Sequence, residues 1–359
     1  MFPLGPCRET LPRIELLLEA IDGAYSPARR ERVFEEFSRG WGRTLLPPPE
    51  ALATADVLVV IPHSSLHGIP LHAVVYGAGE APLAVTHGLT YAPSGTLFTR
   101  CVSRNAARRF DPVAWRFPRR GGDGAPPPPR SCRAAAVDVK FQATGEYEQV
   151  AHLFLDHFEE QQWCGAERIW IKPRRGTPGA DVLCIVCHGH YDPEFPGRSG
   201  LLLARHPGIG AEITIPIHYG RPFLFRDLPF RFFPTEISVR PGCSPEILTV
   251  DELMVGASTS AQLIALIGCS TATGQTSSAD DFHSLAHQFL KIGAASVLAS
   301  LWTLDFDFAK SWAPRFLRQW CDLRLPKALA FRESIREELD ENPRPVSEWA
   351  VPALLGDWL

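Results

Sequence analysis

The stretch Asp181-Val-Leu-Cys-Ile-Val-Cys-His-Gly-His190 is an apolar run of strand length that ends at histidine and glycine. A second run, Gln262-Leu-Ile-Ala-Leu-Ile-Gly-Cys-Ser-Thr271, ends at glycine and cysteine. Continuous apolar runs with such boundaries are typical of parallel strands that are buried on both faces. In an open α/β sheet, the chemistry lies beyond the carboxyl ends of the strands. We therefore expect His188 and Cys269 to lie at the same edge of one sheet, as a cysteine nucleophile and its base require.

The composition is that of an ordinary globular protein. Its 359 residues are 45% hydrophobic and 21% charged, which is enough to form one large core or two modest ones. The net charge of -4 indicates neither a nucleic-acid partner nor an acidic membrane surface. The nine cysteines are irregularly spaced and several lie in apolar runs, as expected of reduced thiols. With neither a signal peptide nor an apolar run of about 20 residues in view, we expect a soluble cytoplasmic protein.

Apolar runs of strand length alternate with stretches of helical periodicity along most of the chain. The predicted strands cover residues 55–61, 84–91, 134–139, 168–171, 182–187 and 295–301. The predicted helices cover residues 9–42, 146–160, 280–292, 307–321 and 326–339, and a further helix starts near Ser94. Strands that alternate with helices through short connections favour a mostly parallel sheet that is covered on both faces. The predicted fold class is therefore α/β.

Two stretches interrupt this alternation. Residues 111–130 are rich in glycine and proline and predict a surface loop or linker. Residues 205–245 contain many proline, phenylalanine and arginine residues and predict a long loop or a β excursion, because loops of that length are usually functional or disordered. At the ends of the chain, residues 1–50 predict a helical lead-in and residues 341–359 a C-terminal tail.

His188 and Cys269 are the candidate catalytic pair. A neutral imidazole within hydrogen-bond reach of a thiol can take its proton and later serve the leaving group. Gly189 permits a sharp turn, and its N–H, with that of Cys269, could stabilise a developing oxyanion. Ser270 and Thr271 are expected to bond to local backbone. On spacing alone the simpler interpretation stays open, since a buried cysteine at a strand end is more often inert packing.

Neighbouring residues offer two other interpretations. His190 could be the base in place of His188. The pattern Cys184-x-x-Cys187, followed by the two histidines, has the look of a zinc site. However, residues three apart on a strand point to opposite faces, and no second ligand pair follows at a suitable distance. We therefore predict no metal and no other cofactor.

Four stretches, in this order along the chain, together resemble the CHAT domain, a family of caspase- and separase-like cysteine peptidase domains. They span roughly residues 55–320. The stretches are Val57-Leu-Val-Val-Ile-Pro-His-Ser-Ser-Leu-His-Gly-Ile-Pro-Leu-His-Ala73 with Tyr91-Ala-Pro-Ser94, Cys187-His-Gly-His-Tyr-Asp192 with Ser199-Gly-Leu-Leu-Leu203, Leu266-Ile-Gly-Cys-Ser-Thr-Ala-Thr-Gly274, and Gly293-Ala-Ala-Ser-Val-Leu-Ala-Ser-Leu-Trp302 with Asp305.

The resemblance implies a caspase-like three-layer α/β/α sandwich around a mostly parallel sheet. It places the base at His188, the nucleophile at Cys269, and the oxyanion hole at the N–H groups of Gly189 and Cys269. It also implies a first, pseudo-caspase-like part at residues 51–110 and a catalytic part at residues 131–340. Family members cleave peptide bonds, often in one protein partner and often in bacterial defence. The resemblance therefore implies a cysteine endopeptidase that acts on a protein or peptide substrate.

The candidate substrate-binding residues are His190, Asp192, Asp305 and Asp307. Related peptidases can place acidic residues after the strand that ends near residue 302, where they hold a basic P1 side chain. Asp305 and Asp307 could instead cap the helix that follows, and this interpretation is slightly favoured. Asp192 could orient a histidine or simply belong to a turn.

The chain also departs from its relatives. The residues before Cys269 are Ile267 and Gly268 rather than the Gln-Ala of caspases, so a preference for aspartate at P1 is not expected. Many CHAT domains follow helical TPR repeats, which this sequence lacks, so the usual sensor is either missing or supplied in trans by an activating protein partner. The alternative function is a catalytically inactive CHAT scaffold that binds a partner protein.

Overall fold

The computed structural model of the chain describes residues 7–21, 23, 25–76, 81–106, 131–137, 146–163, 180–190, 197, 199–207, 213–216, 236–239, 243–254, 258–268, 271–272, 274–276 and 282–359. The predicted linker at 111–130 and the predicted strand at 168–171 lie outside these residues. Within the described ranges, no helix has the length and apolar character needed to cross a membrane.

Helices begin the chain and then alternate with strands. They are α1 (Cys7–Ile21), α2 (Pro27–Glu35), α3 (Pro49–Leu52), α4 (Leu83–Thr86), α5 (Gly95–Ala106), α6 (Glu146–Leu155), α7 (Val250–Met254), α8 (Leu285–Ile292), α9 (Phe306–Leu317), α10 (Lys327–Glu341) and α11 (Val346–Trp349). Short π-helices follow α2 and α9, at Glu36–Gly40 and Arg318–Asp322. Short 3-10 helices cover Trp41–Leu45, Ser64–Gly68 and Leu71–Ala73.

The strands build one large sheet and three small ladders. They are β1 (Val57–Val60), β2 (Val75–Tyr76), β3 (Ala81–Pro82), β4 (Gly88–Tyr91), β5 (Ser131–Val137), β6 (Glu160–Trp163), β7 (Val182–His190), β8 (Gly200–Pro207), β9 (Ile213–Pro216), β10 (Glu236–Val239), β11 (Cys243–Thr249), β12 (Leu263–Ile267), β13 (Gly274–Thr276), β14 (Phe282–Ser284), β15 (Ser296–Ser300) and β16 (Pro352–Gly356).

The large sheet is mostly parallel. Its strand order is β1-β4-β16-β15-β12-β7-β5-β6, and the β8/β11 pair is attached to the end of β7. The pairs β1/β4, β15/β12, β12/β7, β7/β5 and β5/β6 are parallel, whereas β16 is antiparallel to β15. The predicted α/β fold with a mostly parallel sheet is therefore confirmed.

Helices cover both faces of this sheet. The strands β4, β12, β15 and β16 are buried at every residue, and successive residues of a strand point to opposite faces. One group of helices consists of α6, α9 and α10, and a second group consists of α8 with its neighbours α5 and α7. Their buried apolar side chains, together with those of the strands, form one continuous core, as expected of a sandwich with three layers.

Several sequence predictions differ from the structure in their bounds. The strand predicted at 84–91 begins only at Gly88, because Leu83–Thr86 forms a helical turn in which Thr86 Oγ1 donates to the carbonyl oxygen of Leu83. The helix predicted at 280–292 begins at Leu285, where Ser284 Oγ accepts from the N–H of His287 at 3.3 Å. The helix predicted at 146–160 ends at Leu155, and residues 160–163 form β6.

The segment 341–359, expected to be a tail, supplies a strand inside the sheet. β16 pairs with β15 from Ser296↔Gly356 to Ser300↔Pro352, and it meets β4 at Leu355↔Tyr91. Its apolar side chains are buried, so the hydrophobic effect and the ladder together hold it in place. Residues 352–356 therefore belong to the core rather than to a tail.

The described parts of residues 205–245 are extended and agree with a β excursion, one of the two alternatives that the sequence offered. Residues 208–212, 217–235 and 240–242 lie outside the described residues. β8 pairs antiparallel with β11 from Gly200↔Thr249 to Pro207↔Cys243. β9 and β10 form a second antiparallel ladder further along the same segment. We call β8, β9, β10 and β11 the β arm.

Candidate active site

The strands that carry the two candidate catalytic residues are direct neighbours in the sheet. β7 and β12 run parallel in register from Val182↔Leu263 to Val186↔Ile267. At the start of both strands, the main-chain carbonyl oxygen of Asp181 accepts from the N–H of Gln262 at 2.7 Å. Because the strands are parallel and in register, β12 ends beside Val186 of β7, and β7 continues to His190.

The carboxyl ends of these strands approach each other closely. Gly268, directly after β12, lies against the main-chain carbonyl oxygen of Cys187 in β7. A Cβ atom at position 268 would come within 3.0 Å of that oxygen, closer than real Cβ atoms are found. Glycine, which has no Cβ atom, is therefore the only residue that fits at position 268 without movement of the backbone.

Residues 188–190 continue β7 beyond β12 and pair with the β arm. His188 pairs with Leu202, and His190 pairs with Gly200, in antiparallel register. Gly189 is half-buried between them. The side chains of both histidines lie outside what the structure describes, as do Asp192 and Cys269. The residues directly before the predicted dyad, Cys187 and Gly268, thus lie together. The roles of His188, His190, Gly189 and Cys269 stay predictions.

A buried threonine fixes the turn that follows position 269. Thr271 is 1% exposed. Its hydroxyl donates to the carbonyl oxygen of Leu266 at 3.3 Å and accepts from the N–H of Ser300 at 2.9 Å. The expectation that Thr271 bonds to backbone is confirmed, although one of its two partners belongs to the distant strand β15.

Asp305 and Asp307 lie beyond the carboxyl end of β15. Asp305 Oδ1 accepts from the N–H of Phe308 at 2.9 Å and so caps α9. Asp307 forms an ion pair with Lys310 at 2.9 Å, and the hydrogen bond from Lys310 lowers the pKa of that carboxyl. The capping interpretation is therefore confirmed for Asp305.

Both carboxylates also line a cleft of about 450 Å³. The rest of its wall includes residues that the sequence analysis missed, Arg30 of α2 and Glu348 of α11. Burial lowers the pKa of the Arg30 guanidinium, and the charges of Glu31 and Glu348 oppose this effect. No local sequence pattern links residues so far apart along the chain, so only the packing of α2 against α11 could reveal this wall.

The cysteines of β7 are packed in the core. Cys184 is fully buried. Burial raises the pKa of its thiol well above the usual range, and the nearby thiols of Cys132 and Cys187 raise it further. Such a thiol stays protonated and packs as a small apolar side chain. Within the described ranges, no group of three or more histidine, cysteine or acidic residues is placed to hold a metal ion.

The family model for the CHAT domain matches residues 36–357. Because this match covers most of the chain, the protein belongs to the CHAT domain family, and the family suggested by the sequence motifs is confirmed. The protein therefore has the peptidase-type scaffold of that family. No protein of curated function has a sequence that matches this chain significantly.

Several solved structures are similar to this one at low sequence identity. Separase of Saccharomyces cerevisiae, in its complex with securin, has 12% identity and a TM-score of 0.47, covering 83% of this chain and 15% of the separase chain. The Arg-specific cysteine proteinase gingipain R has 8% identity and a TM-score of 0.46, covering 98% of this chain and 75% of the proteinase chain. The complex of Porphyromonas gingivalis RgpB pro- and mature domains has 8% identity and a TM-score of 0.44, covering 98% of this chain and 76% of the other. This chain thus spans only a small part of the length of separase.

Proposed function

We propose that this CHAT protein is a cysteine endopeptidase in which His188 and Cys269 form the catalytic dyad. The observation that carries the proposal is the parallel register of β7 and β12, with Gly268 against the carbonyl oxygen of Cys187. His188 is the next residue after Cys187, and Cys269 is the next residue after Gly268. A base and a nucleophile held on two adjacent, rigid strands have the pre-organisation that nucleophilic catalysis needs.

The proposed reaction uses only groups of this chain and water. The imidazole of His188 takes the proton of the Cys269 thiol, and the thiolate attacks the carbonyl carbon of the scissile peptide bond. The N–H groups of Gly189 and Cys269 donate to the oxyanion that forms. The intermediate collapses to a thioester as His188 gives its proton to the departing amine. Water, with His188 as base, then hydrolyses the thioester and restores the thiol.

The cleft beside Asp305 and Asp307 is proposed to receive a side chain of the substrate. Three carboxylates and one guanidinium group line it, the guanidinium being that of Arg30. Asp307 and Glu348 are already paired with Lys310 and Arg344, so the carboxylate of Asp305 is the one proposed to attract a basic side chain of the substrate. His190 and Asp192 follow the proposed base and are proposed to contact the substrate from the side of β7.

The β arm is proposed to shape the substrate groove or to act as an activation element. Its first strand, β8, pairs with residues 188–190, so a movement of β8 would also move the backbone of the proposed base, His188. We further propose, from the family alone, that the substrate is a protein in a bacterial defence or signalling context in the cytoplasm. On the same basis, an activating protein partner in trans is proposed.

A covalent peptide probe tests the function without a known substrate. A peptidyl acyloxymethyl ketone with lysine or arginine at P1 should alkylate Cys269, because its capture needs a thiolate beside an oxyanion hole. His188→Ala should abolish the labelling, and His190→Ala should not if His188 is the base. Cys321→Ala is the matched control, since this partly exposed thiol has its pKa raised by burial.

The outcomes separate the two candidate functions. Labelling of Cys269 that depends on His188 supports the peptidase. A folded protein that leaves Cys269 unlabelled, or that is labelled equally with and without His188, contradicts the dyad and favours the inactive scaffold. A probe with glutamate at P1 should label more slowly if the cleft selects a basic side chain.

A further inference from the structure

The turn after Cys269 depends on one buried hydroxyl that joins two strands. Leu266, which accepts a hydrogen bond from Thr271 Oγ1, belongs to β12, and Ser300, whose N–H donates to the same atom, is the last residue of β15. The hydroxyl therefore uses its one hydrogen and one of its lone pairs on backbone groups of two neighbouring strands. It ties the carboxyl ends of β12 and β15 together.

Two main-chain hydrogen bonds also hold residues 271 and 272 in place. The N–H of Ala272 donates to the carbonyl oxygen of Ser300 at 2.9 Å, and the N–H of Ala286 in α8 donates to the carbonyl oxygen of Thr271 at 3.2 Å. Three elements, β12, β15 and α8, thus meet at residues 271–272. A turn with bonds to three rigid elements has little freedom to shift, so its geometry is set before any substrate arrives.

We propose that Thr271 is a positioning residue for the thiol of Cys269, a proposal that rests on the cysteine-peptidase function above. Cys269 lies between two fixed points, Gly268 against the carbonyl oxygen of Cys187 and Thr271 between β12 and β15. Thr271 acts through the turn, since its hydroxyl is engaged by backbone groups. Loss of the hydroxyl would leave the buried N–H of Ser300 without this acceptor and loosen the turn. The thiol would then lose its fixed position relative to His188.

The test compares Thr271→Val, which keeps the shape and removes the hydroxyl, with Thr271→Ser, which keeps the hydroxyl. The rate at which iodoacetamide alkylates Cys269 is measured by peptide mass spectrometry from about pH 5 to pH 9, where thiolate formation controls the rate. We expect Thr271→Val to react about tenfold more slowly near neutral pH, with its pH profile shifted upward. Thr271→Ser should keep the native rate and profile.

Ser296→Ala provides a control for general destabilisation. Like Thr271, Ser296 carries a buried hydroxyl group. It is the first residue of β15, at the other end of the strand from Ser300, and it donates to the carbonyl oxygen of Asp357 at 2.6 Å. We expect Ser296→Ala to lower the melting temperature while Cys269 keeps its native pH profile. An equal loss of reactivity in Ser296→Ala would assign the effect to stability and overturn the proposal.

Different alkylation results would refute the peptidase function and the role of Thr271. If Cys269 of the native protein reacts no faster than the other cysteines, both proposals are refuted. If native Cys269 is reactive and Thr271→Val matches Thr271→Ser, only the positioning role is refuted. A Thr271→Val variant that does not fold would limit Thr271 to a structural role and would also refute it.

Discussion

Gly268 lies against the main-chain carbonyl oxygen of Cys187, with no room between them for a side chain. This approach occurs where β12 ends beside β7, one residue before each member of the proposed dyad. A side chain at position 268 would push the two backbones apart. The separation of the two strands at this point is therefore set by the absence of a Cβ atom.

Gly268→Ala should damage both stability and reactivity. The new methyl group must displace backbone rather than a flexible side chain, and such overpacking costs about 1–3 kcal/mol. We expect a lower urea midpoint, together with loss of covalent probe labelling at Cys269. Gly95→Ala is the control, since a Cβ there meets only a side-chain atom of Ile61, at 3.9 Å, and should change neither property. Native labelling in Gly268→Ala would show that this close approach does not set the site.

The buried imidazole of His72 should make stability depend on pH. Its ring nitrogens lie 2.8 Å from the Tyr91 hydroxyl and 3.1 Å from the carbonyl oxygen of Ala350. Burial lowers its pKa from 6.5 to about 4, although the hydrogen bond to Ala350 opposes the shift. The folded protein thus keeps His72 neutral where the unfolded chain binds a proton. Stability should fall as pH drops from about 6.5 to about 4, by roughly 3 kcal/mol over the whole interval.

Urea unfolding at a series of pH values measures this effect. In His72→Gln, which has no group that titrates in this interval, the decline in unfolding free energy should be smaller by about the same amount. The variant should also be less stable than the native protein at pH 7, because the contacts to Tyr91 and Ala350 change. Equal pH slopes in the two proteins would show that His72 does not contribute.

The buried carboxylate of Glu338 should be important for the packing of α9 on α10. Glu338 is fully buried, and it accepts from Arg315 Nε at 3.1 Å, from Arg344 Nε at 3.2 Å and from Ser311 Oγ at 2.7 Å. Glu338→Gln keeps the shape but leaves two guanidinium groups without their buried counter-charge. We expect a loss of about 3 kcal/mol in unfolding free energy, measured by urea denaturation.

The exposed pair on the same arginine supplies the control. Glu341 is 62% exposed and lies 2.6 Å from Arg315. Because water and salt screen an exposed pair, Glu341→Gln should cost less than about 1 kcal/mol. Equal losses of unfolding free energy in Glu338→Gln and Glu341→Gln would show that burial does not strengthen the ion pairs of Glu338.

The β arm should change its accessibility when the site is occupied. Limited proteolysis of residues 205–245 is compared before and after Cys269 is labelled by the peptidyl probe. Because β8 pairs with residues 188–190, we expect occupied protein to be cut several-fold more slowly in the arm. Cleavage elsewhere in the chain serves as the internal control. An identical pattern of cuts in both states would contradict the proposed role of the arm.

The elements that the sequence predicted best are those whose burial is uniform. β12 and residues 182–187 of β7 are buried, so their sequences are continuous apolar runs, although β7 continues three residues beyond its predicted end. The start of α5 was also predictable, because Ser94 caps it by accepting from the N–H of Leu97 at 3.2 Å. Because β7 and β12 are parallel neighbours, Cys187 and Gly268 lie beside each other although they are far apart in the sequence.

Other features depend on contacts that no local pattern carries. β16 is a five-residue apolar run near the C-terminus, too short to distinguish from a buried turn until β15 is seen beside it. The wall that Arg30 and Glu348 add to the cleft arises from helices more than 300 residues apart. The second partner of Thr271, Ser300, is likewise set by tertiary structure.

The distance between Sγ of Cys269 and the nearer ring nitrogen of His188, measured in a crystal structure of the protein, decides whether the two residues form a dyad. We predict a distance of about 4 Å or less, close enough for the imidazole to take the thiol proton. A distance beyond about 8 Å, with the probe-labelled protein showing no closure, would contradict it.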